Sequence, residues 1–354
     1  MCSGPDLRSR CLRRARIRPA PHTGRSSAPS GYSGDECTST HSEEEIMSAD
    51  QEHASKVVVG IDASAHSWAA LEWAAAEAVR RGAVLRVVHA LGMPMVVPTD
   101  RSTPRFQPTE EISGQATGVL AEARDRAVEL QPGLETETVA SMVDPPQAMI
   151  RASRPHDLLV LGTRGLGTVS AMFVGSVSVR VAAQAPCPVV VVPHDEQGRA
   201  PTTSLDRLVV GVDGSRNGRR ALGLAVELTA ETGGELVVVN SWEVPYPYDP
   251  VAMAGGGFRS MEDEFEKRSK DLISELLDGV LEGRDDLHIE IDSVHTQSNP
   301  VDGVLRAAEG ADAIVVGSRG RGTIRGLFLG SVSQGVLHRA RIPVVVLPKH
   351  GDED

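Results

Sequence analysis

The sequence predicts an α/β fold made of two tandem Rossmann-like domains, each a five-stranded parallel sheet. Three observations carry it. Lys56-Val-Val-Val-Gly-Ile-Asp62-Ala-Ser64 returns as Arg207-Leu-Val-Val-Gly-Val-Asp213-Gly-Ser215. Gly162-Thr-Arg-Gly165, nine residues and Gly175-Ser176 return as Gly317-Ser-Arg-Gly320, nine residues and Gly330-Ser331. The closing run Ala185-Pro-Cys-Pro-Val-Val-Val-Val-Pro193 returns as Ala340-Arg-Ile-Pro-Val-Val-Val-Leu-Pro348. The repeat offset is 151 at the first run and 155 at the glycines, so whole domains are duplicated rather than a short solenoid unit.

In the first copy, apolar runs predict strands at 56–62, 84–90, 135–141, 157–162 and 188–192, and periodic segments predict helices at 66–81, 109–130, 146–153 and 174–184. The second copy gives strands at 207–213, 235–241, 287–294, 312–317 and 343–347, with helices at 217–232, 260–282, 300–308 and 329–339. Valine runs without polar alternation suit strands covered on both faces. Strands separated by helices of this length imply right-handed crossovers in an open, doubly wound sheet, whose ligand site lies at the carboxyl ends of the strands.

Residues 1–54 read as a disordered tail. Up to residue 46 the chain holds seven arginines and six acids among many Ser, Pro and Gly, and it lacks hydrophobic periodicity. The basic, acid-free stretch from Arg8 to Arg18 admits a targeting peptide but has no sustained apolar core. The preferred expectation is a functional start near Met47. The first domain then spans 55–194, the linker 195–205 and the second domain 206–349.

The formal charge of −12 argues against nucleic acid or an anionic membrane as a partner. No apolar run reaches the roughly 18 residues of a membrane span, so a cytoplasmic protein is expected. The four cysteines do not form a disulfide framework: three lie in the tail, and Cys187 reads as a buried, inert thiol.

Asp62 and Asp213 close the first strands, where a carboxylate can accept hydrogen bonds from ribose hydroxyls or approach a phosphate-bound metal; the alternative, capping the next helix, is a role that Ser64 and Ser215 could fill instead. Gly162 and Gly165, with Gly317 and Gly320, leave the fourth strands, where the absence of a Cβ would let backbone amides approach an anion. Gly175-Ser176 and Gly330-Ser331 then open helices, offering free N–H groups and a positive dipole end. Arg319, Arg321 and Arg325 make the second copy the more basic one, against Arg164 alone in the first.

The Gly-x2-Gly-x9-Gly-Ser pattern lies between a strand ending in Asp and a Pro-Val-Val-Val strand, and so resembles the universal stress protein family, specifically its tandem ATP-binding members. The resemblance covers about residues 55–349. It implies strand order 3-2-1-4-5 and ATP, with Mg as its accompanying ion, in each domain. In the first, the implied contacts are Gly60, Asp62, Ala90, Gly162, Thr163, Arg164, Gly165, Leu166, Gly167, Thr168, Gly175 and Ser176. In the second they are Gly211, Asp213, Ser241, Gly317, Ser318, Arg319, Gly320, Arg321, Gly322, Thr323, Gly330, Ser331 and Val332. Departures are Asn240 where the first copy has His89, read as a structural rather than catalytic histidine, and Val143 where a small glycine is usual.

The functional expectation is a nucleotide-dependent regulator in stress, hypoxia or dormancy, acting on an unknown protein partner. A slow ATP hydrolase or nucleotidyl transferase is the alternative; the chain lacks the Gly-x4-Gly-Lys-Ser/Thr phosphate loop, and no general base is evident beside the glycines. A dinucleotide dehydrogenase would need Gly-x-Gly-x-x-Gly after the first strand, where the chain reads Gly60-Ile-Asp-Ala-Ser-Ala. The resemblance further implies that the closing strands of the two domains meet about a pseudo-twofold axis, forming an intramolecular pseudo-dimer; a homodimer is the other assembly considered.

Overall fold

The structure, a computed structural model, describes residues 14–15, 55–92, 110–163, 174–194, 201–243, 257–284, 286–321 and 329–349. The first domain runs β2 (Lys56–Ile61), α1 (Ala65–Arg81), β3 (Val84–Ala90), α2 (Glu110–Leu130), β4 (Thr136–Ser141), α3 (Pro145–Ala152), β5 (Leu158–Gly162), α4 (Ser176–Gln184) and β6 (Val189–Val192). The second repeats it as β7 (Arg207–Gly211), α5 (Arg216–Thr232), β8 (Glu235–Trp242), α6 (Gly257–Leu281), β9 (Glu290–Gln297), α7 (Pro300–Ala307), β10 (Ala313–Gly317), α8 (Ser331–Arg339) and β11 (Val344–Leu347).

Helix signals in the chain explain the boundaries. The Ser64 and Ser215 side chains accept from the backbone N–H groups of Ser67 and Gly218, capping α1 and α5. Gly82 and Gly233 end the same helices at φ 60° and 67°, the left-handed conformation that suits glycine. Pro145 and Pro300 start α3 and α7, where a missing N–H costs nothing.

With the short β1 (Arg14–Ala15), the strands among the described residues join one sheet, ordered β1-β9-β8-β7-β10-β11-β6-β5-β2-β3-β4. Each half has the expected order 3-2-1-4-5 with parallel pairing. The halves join where β6 and β11 run antiparallel, with Val190 opposite Val345. Those two valines are the same position in the two copies, so a pseudo-twofold axis passes between them.

Alternate strand residues feed two cores. On one face Val57, Val59, Leu208 and Val210 pack under α1, α2, α5 and α6; on the other Val58, Leu159, Val209 and Ile314 pack under α3, α4, α7 and α8. Each core is continuous across the domain boundary, as a sheet covered on both faces requires. Cys187 is buried in the second core, and burial pushes its thiol pKa up to about 12, the inert thiol expected.

Two expectations are corrected. The third strand of the second copy, expected at 287–294, lies at Glu290–Gln297, pairing its polar end with Asn240, Ser241 and Trp242. Within the tail expected to be disordered, Arg14–Ala15 (β1) pairs antiparallel with Ile291 and Asp292, covering an edge that β9 would otherwise leave open. The rest of residues 1–54 lies outside the described residues.

Candidate functional site

At the carboxyl edge of the second sheet lies a cleft of about 820 Å³. Its floor is the end of β7 and β10, through Gly211, Val212, Val316 and Gly317. Asp213 stands at the middle: its Oδ1 accepts from the Ser215 N–H at 3.0 Å, and its Oδ2 accepts from the Arg321 N–H at 2.9 Å. The same carboxylate that could hold a ribose therefore also ties the loop after β7 to the loop after β10. Asp62 makes the corresponding turn, with Oδ1 accepting from the N–H and Oγ of Ser64 at 3.1 and 2.6 Å.

One side of the cleft is the start of α8. Gly330 is its N-cap and offers no side chain, unlike Ser64 and Ser215 on α1 and α5. The Gly330 N–H donates to Ser318 O at 2.8 Å, and Ser331, Val332 and Ser333 line the cleft. Their amides carry the positive end of the helix dipole and attract an anion. Arg319 and Arg321 also line the cleft. The first copy repeats this geometry: Gly175 caps α4 without a side chain, and its N–H donates to Thr163 O at 2.6 Å.

Ten of the thirteen residues expected in the second site line the cleft: Gly211, Asp213, Ser241, Gly317, Arg319, Gly320, Arg321, Gly330, Ser331 and Val332. Gly322 and Thr323, like Arg164, Gly165, Leu166, Gly167 and Thr168 of the first copy, lie outside the described residues. Ser318 is fully buried, its N–H donating to Leu347 O at 2.8 Å, so it braces the loop instead of facing a ligand. Thr163 does likewise through Val192 O and also meets His66 Nδ1 at 3.1 Å, while the His66 ring stacks on His194 with centroids 3.7 Å apart. In the first copy Gly60, Asp62, Ala90, Gly162 and Gly175-Ser176 end or follow the strands on the corresponding edge.

Two of the glycines also have a reason within the fold. A Cβ on Gly162 would lie 2.5 Å from the backbone oxygen of His66, and one on Gly317 would lie 2.9 Å from Asn217 Nδ2 and 3.1 Å from its backbone oxygen. Helix packing on the fourth strand excludes a side chain there. Their carbonyls accept from Ser178 and Ser333 Oγ, each at 2.7 Å, pinning α4 and α8 to the strands.

His89 and Asn240 prove interchangeable. His89 Nδ1 lies 2.7 Å from Ile61 O, and Asn240 Nδ2 donates to Val212 O at 2.8 Å, which is the same carbonyl in the two copies. The histidine thus braces the end of the first strand.

Sequence reasoning missed the wall that α6 supplies through Phe265, Arg268, Ser269 and Leu272, together with Trp242 at the end of β8. The spacing 265, 268, 269, 272 is one helical face, a signal present in the sequence but indistinguishable there from core packing.

The sequence model of the universal stress protein family matches residues 53–193 and 204–348. The chain belongs to the universal stress protein family. Universal stress protein Rv2005c of Mycobacterium tuberculosis is similar at 31% identity over 298 residues, which is 82% of this chain and 96% of that protein. Rv1996 of the same organism is 31% identical over 317 residues, 85% of this chain and 96% of its own length. The crystal structure of a universal stress protein from Archaeoglobus fulgidus superposes at a TM-score of 0.58 and 25% identity, covering 84% of this chain and 97% of that one. Among the described residues no helix of this universal stress protein is long and apolar enough to cross a membrane, and no group of three His, Cys, Asp or Glu side chains could hold a metal.

Proposed function

We propose that this universal stress protein binds adenine nucleotide, ATP in the first instance, at the carboxyl edge of each half-sheet, and that occupancy regulates its action on a protein partner in stress, hypoxia or dormancy. The observation that supports this reading best is the repeated, uncapped helix start at Gly175-Ser176 and Gly330-Ser331. In the second copy it opens on an 820 Å³ cleft that also holds Asp213, Arg319 and Arg321. Cleft volumes of roughly 300–1,000 Å³ suit small ligands. The residues fit a triphosphate: backbone amides of the α8 start suit its anionic end, two guanidiniums line the same cleft, and the Asp213 carboxylate suits a ribose hydroxyl. A Mg ion would be held chiefly by phosphate oxygens, with Asp213 one of the carboxylates that line the cleft. The reading assigns no catalytic residue and a cytoplasmic location.

The test is to denature the purified full-length chain, identify any nucleotide released and measure uptake of added ATP. About two adenine nucleotides per chain would support both sites, and none, with no uptake, overturns the reading.

A further inference from the structure

The wall of the second cleft carries a polar pair at positions where the described residues of the first copy have alanines. Ser269, on the cleft face of α6, is 3% exposed, and its Oγ lies 2.9 Å from Nδ1 of His295 on β9. The other ring nitrogen, Nε2, lies 3.1 Å from Ser293 Oγ. Two hydroxyls thus hold the imidazole in one orientation, and burial lowers its pKa, favouring the neutral ring with one donor and one acceptor nitrogen. On the same wall the Trp242 indole Nε1 is buried without a hydrogen-bond partner among the described residues.

Duplication supplies the internal control. Strand pairing sets Ala140 opposite His89 and His295 opposite Asn240, so Ala140 is the counterpart of His295. Buried Ala116, Leu120 and Ala123 of α2 match Ser269, Ile273 and Leu276 of α6 at the same spacing, making Ala116 the counterpart of Ser269. The first copy closes the same fold with two alanines. A buried hydroxyl–imidazole pair carries a desolvation cost that the fold does not require, and it borders a cleft.

Strand order says which end of a ligand meets it. β10 and the α8 start lie on one side of β7, whereas β8 and β9, under α6, lie on the other. With phosphates at the α8 start, the α6 wall flanks the sugar and base. We infer that Ser269, held by His295, is a specificity-determining contact to the nucleoside end of the ligand in the second cleft, a hydrogen bond that the first cleft lacks. The inference rests on the nucleotide reading above. A serine hydroxyl makes up to three hydrogen bonds, so the one to His295 leaves capacity for the ligand.

Calorimetric titration of the full chain with ATP, and competition by inorganic tripolyphosphate, test it in wild type, Ser269→Ala, Ser269→Thr and His295→Ala. Ser269→Ala and His295→Ala should each weaken ATP at one site about tenfold, the loss of one well-placed hydrogen bond. Ser269→Thr should retain affinity, and tripolyphosphate, having no nucleoside, should compete equally in all four proteins. Unchanged ATP affinities, equal losses for tripolyphosphate and ATP, or a loss that threonine does not rescue would overturn the inference. A wild-type chain that binds no nucleotide would instead overturn the reading beneath it.

Discussion

At residue scale, the two copies act as substitution experiments on each other. His89 and Asn240 both place a nitrogen on the carbonyl that follows the first strand. His89→Asn should therefore change stability by less than about 1 kcal/mol, whereas His89→Leu, which leaves that carbonyl without its partner, should cost about 1–3 kcal/mol in denaturant unfolding. Cys187 gives a pH dependence whose sign can be worked out. Its folded pKa of about 12 exceeds the ordinary thiol value of 9.0, so above pH 9 the unfolded chain loses a proton that the folded chain keeps. Stability owed to this thiol is intact below pH 9 and falls by up to about 1.4 kcal/mol per pH unit between 9 and 12. Subtracting the stability profile of Cys187→Ala from that of wild type should isolate this slope; a flat difference would contradict the burial argument. The repeated Asp62 and Asp213, the inert Cys187 and the structural His89 were legible because each is defined by its place beside a strand. What Gly162 and Gly317 do was not, because a glycine reports only that something comes close. Here it is the backbone of His66 and the Asn217 residue, brought there by helices whose docking the chain order does not reveal.

At the scale of elements, the capped and uncapped helices differ in purpose. α1 and α5 spend a serine hydroxyl on their first amides, while α4 and α8 begin at glycine and leave theirs facing the cleft edge. Gly330 has φ −69° and ψ 158°, a backbone that any N-cap residue adopts, and a Cβ there would meet only ordinary contacts at 3.4 Å and beyond. Gly330→Asp should consequently cap α8, raising stability by about 0.5–1 kcal/mol. It should also place a carboxylate where the phosphates are proposed to sit, weakening ATP at the second site at least tenfold. Melting and binding measured on the same variant decide the matter, since a stabilised protein with unchanged ATP affinity would mean that this helix start does not hold the ligand. Element types and order follow from the valine runs and the intervening helical periods. The displaced β9 shows where such reading stops: apolar Leu287, Ile289 and Ile291 alternate as a strand should, but pairing begins at Glu290 and runs on through polar His295, Thr296 and Gln297. Those polar residues stay in the strand because it ends at the cleft, where Asn240, Ser241 and Trp242 receive them. Local hydropathy cannot distinguish that ending from a loop.

At the scale of the whole molecule, duplication turns a symmetric seam into an asymmetric one. On the pseudo-twofold axis each residue meets its own counterpart, as Val190 meets Val345. Arg80 of α1 and Glu231 of α5 are also counterparts, and they form a 2.7 Å ion pair across the domains. Two identical domains would set like charges together at that point; a tandem chain can set opposite ones. Arg80 additionally grips the buried Glu77, whose place in the second copy is taken by Leu228. Magnitude decides which contact joins the domains. Glu231 is 46% exposed, so its pairing contributes no more than about 1 kcal/mol. The valine seam is different, because Val190 and Val345 are at most 2% exposed and belong to one core that runs through both domains. Glu231→Arg should accordingly cost about 1 kcal/mol or less, diminish further in high salt, and leave a single unfolding transition. Val345→Asp buries an unpaired carboxylate in the seam and should cost several kcal/mol, splitting the transition in calorimetry or loosening the pair of domains in solution scattering. If instead the charge reversal separates the domains while the aspartate is tolerated, the surface ion pair and not the continuous sheet holds this molecule together.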